Sequence, residues 1–241
     1  MKKILFTLIV ALQSLLGAGA FAAPCPISTL AVYQALGSAG CTIGSFRFSN
    51  FGLLQQPTGS VPFSVVTVTP IAVGLDFSVN ASAATGTLFE DLISYRVTGI
   101  GASLNGASLF LTGSSTTDDG AVTVVENLCI GGLFLGADGV SGCGGARRDL
   151  IVIDTFGFGA DPPISLAFVS AASLAVVTDI AVDGGTAGLA SLRGSASNRF
   201  AVAAVNGVPE PGAFLLVMAG LLALFGSSSR AARFFRAPRL A

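Results

Sequence analysis

The chain has no histidine, no tryptophan and only two tyrosines, and its lysines stand at positions 2 and 3 alone. Each absence removes a class of function. Without histidine, Ser-His-Asp and Cys-His nucleophilic arrangements are excluded, and proton transfer falls to carboxylates, Tyr33 or Tyr95. Without tryptophan, flat aromatic platforms for sugar rings are scarce. Without lysine in the body of the chain, little could neutralise a phosphate backbone, which argues against nucleic acid. Charge is sparse throughout, at 10% of residues.

What is present is sharply divided along the chain. Met1-Lys2-Lys3 is a short basic start, residues 4–16 are nearly all apolar, and Ala20-Phe21-Ala22 offers small residues at the spacing a signal peptidase needs. Cleavage is expected after Ala22, which makes 1–22 a signal peptide. The remaining body, 23–207, carries six arginines (47, 96, 147, 148, 193, 199) against twelve acids, a balance of −6. About 185 residues suffice for one domain with a sizeable core.

Its 31 glycines and short β-branched runs point to strands and turns. Residues 61–69, 92–98, 107–112, 121–129, 150–156, 164–169, 174–182 and 199–205 read as strands. The polar stretch 114–120, ending Asp118-Asp119-Gly120, reads as a long hairpin loop between 107–112 and 121–129. One helix is expected near 27–36, ended by Gly37. The fold class is therefore all-β: an antiparallel β-sandwich-like domain with one short N-terminal helix.

Four cysteines in an exported chain usually pair. Three pairings are possible. Closure of short local loops favours Cys25–Cys41 and Cys129–Cys143. With no Cys-x-x-Cys and no histidine, a zinc site is not expected. Asp118-Asp119-Gly120, Asp138-Gly139 and Asp183-Gly184 resemble fragments of calcium loops but lack EF-hand spacing, and turn chemistry explains them equally well. Glu90 and Asp91 would point to opposite faces of a strand and so could not converge; a turn edge is the plainer expectation for them. No catalytic, cofactor or metal constellation emerges.

The C-terminal segment, 208–241, has three parts. Val208, Pro209, Glu210 and Pro211 open a motif at 208–212. An apolar run from 212 to 226 follows, about 22 Å long as a helix and short for a bilayer core of about 30 Å. Ser227 to Ser229 extend it to a marginal membrane helix over 212–229. The tail 230–241 carries Arg230, Arg233, Arg236 and Arg239, which would hold that end in the cytoplasm. The body would then face the periplasm from a transient inner-membrane tether. Pro209 and Pro211 cannot sit inside a regular helix and leave an extended strip outside the membrane.

These residues resemble the PEP-CTERM sorting signal of bacterial proteins. The resemblance covers the motif, the short helix and the basic tail, and the signal peptide accompanies it. It implies recognition of Pro209, Glu210 and Pro211 by exosortase, a membrane-embedded transpeptidase-like partner that owns the catalytic residues. It also implies a Gram-negative host, with final residence at the cell surface or in the extracellular matrix. In the body, 40–46 with Phe48-Ser49-Asn50-Phe51, and more loosely 177–184, are similar to segments of other PEP-CTERM proteins. The family context is exopolysaccharide production and biofilm formation. Two function classes follow as expectations. One is a structural or adhesive matrix protein with exopolysaccharide as a further partner. The other is a secreted carbohydrate-binding module or carboxylate-based glycan enzyme.

Overall fold

The computed structural model describes residues 22–54 and 65–203. The expected signal peptide up to 21, the motif Val208 to Pro211, the membrane helix and Arg230 to Arg239 lie outside the described residues. Among those described, no helix is long and apolar enough to cross a membrane.

The described residues form fourteen strands and one helix. In order these are β1 (Ser28–Thr29), α1 (Leu30–Ala35), β2 (Cys41–Ile43), β3 (Phe46–Leu54), β4 (Thr67–Ile71), β5 (Gly74–Ser78), β6 (Ala81–Ala83), β7 (Leu88–Gly99), β8 (Leu104–Thr117), β9 (Ala121–Ile130), β10 (Ala146–Thr155), β11 (Gly159–Ala160), β12 (Ile164–Ala171), β13 (Ser173–Asp183) and β14 (Leu189–Val202). They build two antiparallel sheets of seven strands. Sheet I runs β1-β4-β5-β14-β8-β12, with β6 also on β14; sheet II runs β11-β10-β9-β13-β7-β3-β2.

Period-two alternation decides which sides meet. In β7, Phe89, Ile93, Tyr95 and Val97 are buried; in β9, Val122, Val124, Leu128 and Ile130 are. Sheet I contributes Leu75, Phe77, Leu109, Ala196 and Phe200 to the same core. Rings lock the two layers together: Phe77 lies 5.6 Å from Tyr95 and Phe48 lies 6.0 Å from Phe200. The segment 40–51 is the β2–β3 hairpin, and its Phe46, Phe48 and Phe51 belong to this aromatic cluster. Its role here is packing. Asn50, at φ 55°, sits in the bulge where the β3–β7 register shifts.

Helix α1 is shorter than 27–36 and ends before Gly37, whose φ is 53°. Tyr33 fixes it by donating to the Pro26 carbonyl at 2.6 Å. Pro70 lies inside β4, beyond the reach of two-residue β1, where its missing N–H costs no ladder bond.

One topological expectation fails. Strands β8 and β9 are not a hairpin. β8 continues through Thr117, and its polar end pairs with Leu189 to Leu192 of β14; β9 pairs with β10 and β13 in the other sheet. The turn at 118–120 crosses the sandwich. Local turn chemistry is the same for a hairpin and a crossing; partner choice is set by apolar faces far along the chain. Asp119 secures the crossing, accepting from Thr186 N (2.7 Å), Thr186 Oγ1 (2.5 Å) and Ala187 N (2.8 Å). These bonds hold its carboxyl far below the ordinary carboxylate range.

Candidate functional site

Both locally closed disulfides are present: Cys25–Cys41 with S–S of 2.10 Å and Cys129–Cys143 with 2.03 Å. Two disulfides suit an oxidising, extracytoplasmic setting. The first ties the segment before α1 to β2. The second folds the loop 131–145 back onto the outer face of sheet II, where Cys129 is fully buried. Ala22, the expected cleavage point, lies beside β2, its carbonyl accepting from Thr42 Oγ1 at 3.2 Å.

The three Asp-Gly turns are built by their own carboxylates. Besides Asp119, Asp138 Oδ1 accepts from Val140 N, Ser141 N and Ser141 Oγ, and Asp183 Oδ1 accepts from Gly185 N at 2.9 Å. Turn locking therefore accounts for these acids. Among the described residues no cluster of three His, Cys, Asp or Glu could hold a metal ion.

Glu90 and Asp91 are not at a turn edge. They lie within β7, Asp91 on the inner face and Glu90 on the outer. Glu90 instead has a neighbour that the sequence did not reveal. Asp179 on β13 is placed diagonally from it by the register Asp179 to Leu92 and Ala181 to Glu90. Burial, and then the negative charge of Glu90, push Asp179 up to about 6. This is a carboxylate pair in type. Neither acid lines either of the concavities described below.

A groove of about 970 Å³ lies on the outer face of sheet I. Three adjacent strands make its floor. By register Gly106 of β8 lies between Ala201 of β14 and Ala167 of β12, and Ser108 lies between Arg199 and Ser165. The floor is low because glycine and alanine supply no bulk there. A Cβ on Gly106 would meet the Ala201 Cβ and the Leu166 carbonyl, each at 3.3 Å. Gly74 of β5 stands beside Arg199 on its other side, where a Cβ would meet the Asn198 carbonyl oxygen and the Arg199 Cα, so glycine permits the close approach of β5 to β14. The rim carries Phe110 and Arg199, with the guanidinium carbon 4.2 Å from the ring centroid. Ser108, Ser165 and Asn105 add hydroxyl and amide groups. Among the described residues the groove holds one charge, Arg199, and its guanidinium has neither a hydrogen bond nor an ion pair with any of them.

The sheets differ in electrostatics. The strands of sheet I contain Arg193 and Arg199 against Asp76, a balance of +1. Those of sheet II contain four arginines against seven acids, a formal balance of −3 in which three of the acids, Asp91, Glu126 and Asp154, are buried. A second, smaller pocket of about 230 Å³ lies under the 131–145 loop on sheet II. Arg96 enters it, with one guanidinium nitrogen donating to Ser173 Oγ at 2.8 Å.

None of the groove residues is visible as a motif. The only available signal was Arg199 in a nearly charge-free run; the floor depends on three strands separated in sequence.

No family model matches the chain, and no curated protein matches it. Among solved structures it is similar to the carbohydrate-binding module TmCBM61, determined in complex with β-1,4-galactotriose, at 11% identity and a TM-score of 0.29, over 74% of this chain and 100% of that one. A likeness at that level assigns no ligand.

Proposed function

We propose that this chain is an exported matrix protein, sorted by exosortase through Val208, Pro209, Glu210 and Pro211, whose sandwich acts as a binding and structural module for extracellular polysaccharide. The groove on sheet I carries the binding half of this reading. It is open, wide enough for several sugar units, and mostly apolar, with a few hydroxyl and amide groups, the Phe110 ring and one guanidinium set into it, the mix that orients polyhydroxylated ligands. A retaining or inverting glycosidase needs two carboxylates across the scissile bond, and the described lining of this groove offers none. The Asp179–Glu90 pair supports the enzyme reading only in residue type, because it stands on the other sheet.

The sorting half rests on the tail and on the two disulfides, which suit a chain that folds outside the cytoplasm. Its test is replacement of Pro209, Glu210 and Pro211 by alanine in the native host. The expected outcome is a larger, membrane-associated form that accumulates unprocessed; unchanged processing and export would refute the sorting claim. The binding half is tested by affinity electrophoresis of the exported protein in gels containing the host's own exopolysaccharide, with retarded migration expected.

A further inference from the structure

We infer that the sheet I groove selects acid-bearing saccharide units, with Arg199 taking the sugar carboxylate and Phe110 holding Arg199 in place. The inference rests on the polysaccharide-binding reading and deepens it by naming the ligand class.

Three observations converge on it. First, Arg199 is the single charged side chain in the described lining, and no described residue takes its N–H donors. A guanidinium has five donors and no acceptor, and its planar fork matches a carboxylate. Second, its position is organised before any ligand arrives. β14 is a central strand of sheet I, Arg199 is in register with Gly74 and Ser108, and Phe110 lies 4.2 Å beneath the guanidinium carbon. Contact with the ring face leaves the donors for a partner that approaches edge-on, and it limits the entropy lost on binding. Third, the formal charge of sheet I favours an anion more than that of sheet II does. Sheet I carries a balance of +1 and sheet II one of −3, in a body that carries −6. A polyanion is therefore repelled by most of this molecule and admitted at the groove. The low floor of Gly106, Ala167 and Ala201 admits the ring of the sugar unit, and Ser108 and Ser165 face its hydroxyls.

A matched pair of polymers tests the idea: polygalacturonate and its fully methyl-esterified form, which share a backbone and differ in charge. Binding of the exported protein, recovered from the native host, is measured by calorimetry for the parent and for Arg199→Gln, Arg199→Lys, Phe110→Ala and Arg193→Gln. Arg193 is exposed on the same strand, lies outside the groove and serves as the charge control. The parent is expected to bind the acidic polymer about tenfold more tightly than the ester, the size of one partly solvated charge-assisted contact. Arg199→Gln is expected to abolish that preference, Phe110→Ala to weaken it and Arg199→Lys to retain part of it, while Arg193→Gln leaves it intact. Raising salt from about 50 mM to about 500 mM is expected to shrink the preference through screening. Circular dichroism confirms that each variant is folded. Equal affinity for the two polymers, or a preference that survives Arg199→Gln, overturns this inference and leaves the polysaccharide reading standing. Failure to bind either polymer or the host's exopolysaccharide overturns both.

Discussion

Replacing Glu126 by glutamine and by leucine asks why a carboxyl sits in the middle of an apolar core. Glu126 is on the inner face of β9, 0% exposed, in register with Thr178 of β13 and Leu150 of β10. Neither of its carboxyl oxygens has a hydrogen-bond partner among the described residues. Burial pushes its pKa well above the usual range. Such a group is neutral in both states at low pH. Above the unfolded-state value of about 4.3 the unfolded chain loses the proton and the fold keeps it. Stability contributed by the neutral group is thus fully present below that value, and it is lost as pH rises toward the folded-state pKa. The loss can reach about 1.4 kcal/mol per pH unit. Glu126→Gln cannot ionise, so it is expected to match the parent near pH 4 and exceed it increasingly toward pH 8. Glu126→Leu also removes two buried acceptors without partners and is expected to gain about 1–3 kcal/mol at pH 7, or roughly 2–4 °C in Tm per kcal/mol for a domain of this size. Asp91 and Asp154 also lie buried on the inner face of sheet II, so the difference between parent and variant, not the parent curve, isolates Glu126. With no tryptophan in the chain, thermal unfolding is followed by far-UV circular dichroism. Parallel Tm-against-pH curves for parent and Glu126→Gln would refute the reasoning.

Three further outcomes follow from the same structure. Peptide mapping without reduction is expected to yield the Cys25–Cys41 and Cys129–Cys143 cross-links. Replacing Cys129 and Cys143 together by serine should cost about 3 kcal/mol on the chain-entropy argument and speed hydrogen exchange in 131–145 while sparing β2; four free thiols in the exported protein would contradict the assignment. Asp179→Asn removes a repulsion from Glu90 and a carboxyl raised to about 6. Its folded-state value lies above the unfolded one, so the parent loses this contribution as pH rises from about 4 to 6, and the variant should be more stable at pH 7 by about 1 kcal/mol after allowance for solvent screening. Denaturant midpoints at pH 4 and pH 7 check this: a gain equal at both would exclude titration as the cause.

Much of the fold was legible because β-branched runs and turn residues are local signals. The expected strands at 92–98, 121–129, 164–169 and 174–182 lie within observed strands, and 150–156 overruns β10 by one residue. The disulfides were legible from loop length alone. Strands β1, β2, β3, β5, β6 and β11 were missed: Gly52 and Gly74 dilute β3 and β5, and the other four are only two or three residues long, too short for a propensity signal. β8 and β14 were each read too short, because Ser114 to Thr117 and Leu189 to Gly194 look like loop by composition. They are held as strand by pairing with each other, with a bulge where Gly113 passes 2.7 Å (measured from its would-be Cβ) from Gly194.

Residue by residue, the chain itself determined that this is a β-rich domain with two local cross-links and that histidine chemistry is absent. These are statements about composition and near neighbours, and covalent sequence contains them fully. Only tertiary structure decided that β8 and β9 part company into different sheets, that Glu126 faces the core, and that Gly106, Ser108, Phe110, Ser165 and Arg199 share one groove. Those facts depend on which strands pair across long separations, and pairing is chosen by the burial of whole faces rather than by any short motif.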